Sequence, residues 1–152
     1  MVCCRRCLPD KYQFEADPDL LGELADAMVP LIPAGTEVLA GLEMGGIAVV
    51  TALGLRSGLP CAFVRKKAKE YGTARLAEGA AVKGRRVLVV EDVVTSGGQI
   101  VISTGELRKL GAEISHAVCV IDRQEGGTEA LATDGITLHS LLRCEDLDLA
   151  RI

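Results

Sequence analysis

The sequence predicts an α/β fold in which a parallel sheet is covered by helices on both faces. Short apolar segments alternate with amphipathic ones along the chain, and strands that are buried on both faces are nearly continuous apolar runs. The chain has 152 residues, enough for one domain with a substantial core. Only two Tyr, two Phe and no Trp are present, so this core must be aliphatic.

Helix and strand signals follow each other in a regular order. Asp17 is a good N-cap with Pro18 at the first helical position, and Gly111 is a good C-cap for a later helix. The charged residues 65–78 predict a long loop or hairpin. We expect strands at residues 37–42, 60–64, 87–90, 114–121 and 136–142, and helices at about 18–30, 47–55, 99–110 and 128–132.

One segment carries most of the chemical information. The apolar residues 87–90 predict a buried strand that brings Glu91 and Asp92 to its carboxyl end. The glycine loop Thr95-Ser96-Gly97-Gly98 follows, and a helix is predicted from about Gln99. Glycines allow the backbone to approach a ligand, hydroxyls donate hydrogen bonds, and a helix N-terminus favours phosphate. Two adjacent acids suit ribose hydroxyls or a magnesium ion that carries phosphates, so the segment predicts a sugar-phosphate site.

Further groups are expected at the same edge of the sheet. Gly45-Gly46 and Arg123 each follow a predicted strand, and ligands of such sheets bind at the carboxyl ends of the strands. The basic segment, residues 65–75, follows another strand. Its closely spaced positive charges repel one another unless an anion compensates them.

Three motifs resemble one known family. Residues 87–99 resemble the phosphoribosyl-pyrophosphate motif of type I phosphoribosyltransferases. Residues 65–73 are similar to the mobile catalytic loop of orotate phosphoribosyltransferases, and Val120-Ile121-Asp122-Arg123 resembles the strand end at which that family places the arginine that pairs with the orotate carboxylate. The three motifs occur in order and cover roughly residues 10–127, which makes the resemblance specific.

The resemblance implies a phosphoribosyltransferase-like core with a flexible basic loop, and transfer of a phosphoribosyl group from phosphoribosyl pyrophosphate to orotate. Glu91 and Asp92 would bind the ribose hydroxyls, and Arg123 the orotate. We expect Mg²⁺ to be bound through the substrate, with no ligand from the protein unless Asp92 supplies one. The 5′-phosphate would be bound by the loop residues Val94, Thr95, Ser96, Gly97, Gly98 and Gln99.

The pyrophosphate group would be bound at two places. Its first partners would be the backbone of Gly45 and Gly46. The others would be basic side chains, with Lys69 as the main catalytic one beside Arg65 and Lys66. Tyr71 stands where many members of the family carry a histidine and is expected to contact phosphate oxygen. In the family this loop often reaches the site of a neighbouring subunit, which implies a homodimer.

Composition limits the other classes of function. The formal net charge of −4 argues against general nucleic-acid binding, and no apolar run is long enough to span a membrane. Cys61, Cys119 and Cys144 stand singly in apolar runs that favour buried free thiols, so a cytoplasmic location is expected. Cys3, Cys4 and Cys7 lack the second pair that a zinc site would need.

The N-terminus departs from the family pattern. Residues 1–9 match no expected segment and are predicted to be atypical and disordered, ahead of a phosphoribosyltransferase domain at 10–152. Residues 10–15 resemble the strand that follows the N-terminal hood of orotate enzymes. The hood is therefore expected to be missing or shortened, which predicts weaker binding of the base.

Two alternatives stay open from the sequence. The enzyme could use a purine or another base, because the phosphate half of the site does not distinguish them. The protein could instead be a non-catalytic regulator that senses phosphoribosyl pyrophosphate, with the basic segment touching nucleic acid. Exchange of Arg123 for Ala separates the first alternative from the orotate hypothesis, and salt-dependent RNA or DNA binding would support the second.

Overall fold

A six-stranded sheet forms the centre of the molecule in the computed structural model, which describes residues 12–67 and 75–149. The strands have the spatial order β3-β2-β1-β4-β5-β6. All neighbouring pairs are parallel except β2 and β3, which form an antiparallel pair at one edge. The strands are β1 (Val38–Leu42), β2 (Cys61–Val64), β3 (Ala77–Gly79), β4 (Arg86–Val94), β5 (Glu113–Asp122) and β6 (Thr137–Arg143).

Helices cover both faces of this sheet, as the sequence predicts. They are α1 (Gln13–Ala16), α2 (Pro18–Met28), α3 (Gly45–Ser57), α4 (Gly98–Lys109), α5 (Gly127–Thr133) and α6 (Cys144–Leu149), with a 3₁₀ turn at Val29–Leu31. The predicted N-cap is confirmed, because the Asp17 side chain accepts hydrogen bonds from the backbone N–H groups of Asp19 and Leu20 at 3.1 Å each.

Each face of the sheet has its own aliphatic core. On one face, Ile100 and Leu107 of α4 and Leu131 of α5 pack against Val89 and other strand residues. On the opposite face, α1, α2 and α3 contribute the buried residues Phe14, Met28, Val49, Val50 and Leu53. The doubly wound α/β class is therefore confirmed.

The strand register brings four connections to one edge of the sheet. Leu42 of β1 pairs with Val64 of β2, and Val94 of β4 pairs with Asp122 of β5. The segments that follow these four residues therefore meet at the carboxyl edge. They contain the Gly45-Gly46 pair, the start of the basic segment, the glycine loop and Arg123.

The first described element is a helix where a strand was expected. Gln13–Ala16 forms one α-helical turn, so the prediction of a strand over residues 10–15 is wrong for its described part. Phe14 is 9% exposed and joins the core beneath α2 and α3, a burial that the helical turn achieves without a strand neighbour. The atypical segment 1–9 lies outside the described residues.

The described cysteines differ in whether they form a disulfide. Cys61 and Cys119 are free thiols, as expected, whereas Cys144 is disulfide-bonded. The expectation of a free thiol at Cys144 is therefore wrong. Within the described ranges, no helix has the length and apolar character needed to cross a membrane.

Candidate active site

The carboxylate of Asp92 lies directly against the start of α3. Asp92 is 1% exposed, and a Cβ added to Gly45 would stand 2.0 Å from its Oδ2 atom and 2.3 Å from its Cγ atom. Only glycine fits at this contact. The helix begins at Gly45 rather than at Ile47, so the predicted glycine turn is the N-terminus of a thirteen-residue helix. The first backbone N–H groups of a helix have no partner within it and favour anions.

The neighbouring carboxylate, Glu91, faces the glycine loop. It lines a cavity of about 210 Å³ whose remaining wall consists of residues 93–100. Gly97 caps α4 with a φ of +77°, a left-handed conformation that favours glycine. The structure thus brings together the predicted residues Glu91, Val94, Thr95, Ser96, Gly97, Gly98 and Gln99.

Gln99 uses its side chain within the helix. Its amide Nε2 donates a hydrogen bond to the hydroxyl of Ser103, one turn further along α4, at 3.0 Å. The predicted residue is therefore at the cavity, while its side-chain amide bonds to another protein group. Its backbone N–H, in the first turn of α4, belongs to the set of groups that favours an anion.

Arg123 opens the arginine loop, residues 123–127, which runs from the end of β5 to the first residue of α5. Its backbone N–H donates to Val94 O at 2.9 Å, which fixes the loop beside the end of β4. Its guanidinium Nη2 lies 3.1 Å from Glu125 Oε1, and the Arg123 side chain is 25% exposed. The acid that pairs with Arg123 is thus Glu125 and not the adjacent Asp122, a partner that the sequence pattern did not reveal.

The arginine loop and the glycine loop contact each other closely. A Cβ on Gly127 would stand 2.7 Å from both Thr95 O and Val94 Cγ1, and a Cβ on Gly97 would stand 3.2 Å from Gly127 O. The absence of side chains at these two glycines lets the loops pack backbone to backbone. Arg123 is therefore held next to the glycine loop.

A carboxylate joins the basic segment to the start of α3. The side chain of Glu43 accepts a short hydrogen bond from the backbone N–H of Lys66, and the backbone N–H of Glu43 donates to Val64 O at 2.8 Å. These bonds place Arg65 and Lys66 beside the Gly45-Gly46 pair. Glu43 was not predicted as a positioning group, because its partner is a backbone group 23 residues away. Lys69 and Tyr71 lie outside the described residues.

Acidic side chains give the carboxyl edge of the sheet a local negative charge. Burial raises the pKa of the Cys119 thiol, and the negative charges of Asp122, Glu91 and Asp92 raise it further. Such an environment favours a divalent cation, and Mg²⁺ is commonly held by one or two carboxylates together with substrate phosphates. The described residues contain no group of three His, Cys, Asp or Glu side chains that would hold a metal alone. The donor set fits Mg²⁺ that is bound through a phosphorylated substrate.

Comparisons with known proteins identify the family of this chain. Residues 19–140 match the family model of the phosphoribosyl transferase domain. The chain is 50% identical over 142 residues to the orotate phosphoribosyltransferase of Nocardioides sp.. This alignment covers 93% of this chain and 79% of that protein. It is 44% identical over 138 residues to the orotate phosphoribosyltransferase of Methanocella arvoryzae, with 91% and 79% covered.

A solved structure shares the fold of this chain. The crystal structure of Mycobacterium tuberculosis orotate phosphoribosyltransferase in complex with phosphoribosyl pyrophosphate superposes with a TM-score of 0.81 at 29% identity. The superposition covers 91% of this chain and 82% of that one. The identities to the two curated relatives and the domain match decide the assignment: this chain belongs to the orotate phosphoribosyltransferases, within the phosphoribosyl transferase family.

Proposed function

We propose that the protein transfers the phosphoribosyl group of phosphoribosyl pyrophosphate to orotate, which yields orotidine monophosphate and pyrophosphate. The observation that carries the proposal is the position of two adjacent carboxylates between two anion-binding backbones. Glu91 faces the glycine loop, and Asp92 contacts Gly45 at the start of α3. A ribose held by these acids would have its 5′-phosphate in the glycine loop and its pyrophosphate at α3.

The reaction is a displacement at the anomeric carbon of the ribose. The bond from this carbon to pyrophosphate breaks, with its electron pair leaving on the pyrophosphate oxygen, and a nitrogen of the base supplies the pair for the new bond. Positive charge accumulates on the ribose ring in the transition state. Glu91 and Asp92 bind the ribose hydroxyls, and their fixed negative charge stabilises the ring as that charge develops.

The pyrophosphate leaving group is stabilised by a separate set of groups. Backbone N–H groups of Gly45 and Gly46 bind pyrophosphate, since the helix N-terminus favours negative charge. Arg65 and Lys66 neutralise part of the growing charge, together with Lys69 as the main catalytic side chain. Tyr71 contacts phosphate oxygen. Mg²⁺, when bound with the substrate, supplies further charge neutralisation of the pyrophosphate.

The base is recognised through its carboxylate. A guanidinium can bind a carboxylate by two parallel hydrogen bonds, and Arg123 already holds the carboxylate of Glu125 at 3.1 Å. The pair is partly exposed, with 45% of the Glu125 side chain accessible, so the exchange of one carboxylate for another costs little. Orotate thereby replaces Glu125 as the partner of Arg123.

The direct test measures pyrophosphate release with phosphoribosyl pyrophosphate, Mg²⁺ and a panel of bases. We expect release with orotate and none with purines. Release with a purine alone would identify a different base, and no release with any base would favour the non-catalytic regulator.

Arg123→Ala tests how the base is recognised. Loss of a charge-assisted pair predicts a rise of the KM for orotate of about 10- to 100-fold. Arg143→Ala is the matched control, because Arg143 is an exposed strand-end arginine whose Nη1 lies 3.6 Å from Glu145. Equal effects of the two substitutions would exclude the proposed role of Arg123.

A homodimer is the second part of the proposal. An apolar groove of about 640 Å³ follows the outer side of α3 from Met44 to Leu55, bordered by Tyr12 of the N-terminal region. Met44 is 63% and Leu55 79% exposed, and large apolar patches on a surface commonly mark interfaces. Because the groove begins beside Gly45, a second copy bound there would stand next to the active site.

Sedimentation of the wild type and of Leu55→Glu tests this interface. We expect a dimer that becomes a monomer on substitution, since a charge within an apolar interface is costly. A dimer that persists unchanged would place the interface elsewhere. The cytoplasmic location and the absence of a nucleic-acid partner stay predictions from the sequence.

A further inference from the structure

Asp122, the last residue of β5, has a buried carboxylate that bonds to the segment after it. The residue is 5% exposed. Its Oδ1 atom accepts a hydrogen bond from the backbone N–H of Gln124 at 2.8 Å, and its Oδ2 atom accepts one from the hydroxyl of Thr128 at 3.1 Å. A buried carboxylate must have such partners, because an unbonded charge would be costly.

These bonds hold the main chain on both sides of Arg123. Gln124 has a φ of +56°, a left-handed conformation that is uncommon for a residue other than glycine. The bond from its N–H to Asp122 stabilises that conformation, as acidic side chains do in local turns. The Gln124 side chain also accepts from the backbone N–H of Glu145 at 3.2 Å. The direction in which Arg123 leaves the backbone is thus fixed by its two neighbours.

We propose that Asp122, with Thr128, is a positioning residue for orotate recognition and acts through Arg123. This inference depends on the proposed role of Arg123. Asp122 does not itself contact the base, because both of its oxygens are engaged by protein groups in a buried position. Its effect is to keep the guanidinium at the base site whether or not Glu125 is its partner. A loosened arginine loop would weaken the base half of the site and leave the ribose and phosphate half intact.

Thr128→Val tests the inference with little change in the volume of the side chain and with the carboxylate of Asp122 kept in place. Valine has nearly the shape of threonine, so the change removes the hydroxyl that bonds to Asp122 Oδ2. We expect the KM for orotate to rise about three- to tenfold, because one hydrogen bond to a charged group is lost. The kcat at saturating orotate and the KM for phosphoribosyl pyrophosphate should stay within about twofold of wild type.

Two further variants separate positioning from general loosening. Thr128→Ser keeps the hydroxyl and should restore the wild-type KM. Thr133→Val removes the other hydroxyl of α5, which donates to Glu129 O at 3.0 Å, and should leave the KM for orotate unchanged. A rise with Thr128→Val, rescue by Ser and no effect at Thr133 support the proposal.

Other outcomes overturn it, and they do so in distinguishable ways. If Arg123→Ala raises the KM for orotate but Thr128→Val does not, Arg123 binds the base without help from Asp122. If Thr128→Val lowers kcat and raises both KM values alike, the bond serves general stability and not the base. If Arg123→Ala itself has no effect on orotate, the proposed role of Arg123 fails and this inference fails with it.

Discussion

The two edges of the sheet contain the same kinds of charged residue in different arrangements. At the amino edge, Glu37 accepts from the backbone N–H of Arg86 at 2.9 Å and pairs with the side chains of Arg86 and Arg85 at 3.4 Å each. His116 Nδ1 and His139 Nε2 lie 3.0 Å apart on neighbouring strands. The charged and histidine side chains named here thus have protein partners, as expected of groups that stabilise a fold.

At the carboxyl edge, groups of like charge lie together. Glu91 and Asp92 are adjacent acids placed against Gly45 and the glycine loop, and basic residues follow β2. Cavity volume does not single out the proposed site, because the cavity at the amino edge is larger than the one at the glycine loop, about 350 Å³ against 210 Å³. The difference between the edges supports the proposed ligand site, where like charges lie next to closely packed glycines.

Among the substitutions that distinguish the two edges, a change of Gly45 is expected to have the largest effect on activity. Gly45→Ala would place a methyl group 2.0 Å from the Asp92 carboxylate, so either the acid or the helix must move. We predict a fall in kcat/KM of at least about 100-fold, since misplaced electrostatic groups lose their stabilisation of the transition state. Steady-state kinetics measures it.

Gly105→Ala is the matched control for this substitution. Gly105 lies within α4, and a Cβ there meets nothing within 4 Å. We expect unchanged kinetics and a free energy of unfolding about 0.5–1 kcal/mol higher, because alanine favours a helix interior over glycine. If the two substitutions lowered activity equally, close contact at Gly45 would not be the cause.

The histidine pair predicts a smaller effect on stability. Burial lowers the pKa of His139 below its ordinary value of 6.5, and the charge of nearby His116 lowers it further. Below pH 6.5 the unfolded chain therefore binds more protons than the folded one. This contribution to stability is complete above pH 6.5 and is lost as the pH falls, by at most about 1.4 kcal/mol per pH unit for one proton.

Urea unfolding at pH 7.5 and 5.5 measures this loss. His139→Gln, which can still bond to His116, should show a smaller difference between the two pH values than wild type. An unchanged difference would assign the acid sensitivity to other groups. The kcat at pH 7.5 should not change, because the pair lies at the edge opposite the active site.

The smallest effect is expected at Glu37. Its pKa is lowered first by the hydrogen bond from the Arg86 backbone and then by the two arginine side chains, but these groups are exposed and paired ions of this kind contribute little. Glu37→Gln should leave kcat/KM within about twofold of wild type and lower Tm only slightly. A large loss of activity would show that the amino edge has a functional role.

The predictable part of the molecule was the part encoded by local patterns. Apolar runs located every described strand except the edge strand β3 to within about four residues, because strands that are buried on both faces need continuous apolar sequence. The adjacency of Glu91, Asp92 and the glycine loop was equally local. Convergence at one edge then followed from parallel topology, which placed Gly45 and Arg123 there without any knowledge of contacts.

The rest depends on contacts between distant residues. The bond from Lys66 to Glu43 spans 23 positions. Arg123 pairs with Glu125, while the carboxylate of Asp122 bonds to Gln124 and Thr128. The single turn α1 was mistaken for a strand because the burial of Phe14 is decided by the helices around it. The disulfide at Cys144 could not be inferred from spacing alone.

The alternation of β4 has a consequence for the way this enzyme can diverge. This strand places Glu91 in the wall of the glycine-loop cavity and Asp92 against Gly45, and successive residues of a strand point to opposite faces. Deletion of a single residue upstream in β4 would move Asp92 into the place of Glu91 and Glu91 into that of the buried Val90, and it would turn each apolar side chain of the strand to the opposite face. One apolar residue can therefore replace another in this strand during evolution, whereas a change in the length of the strand cannot be tolerated.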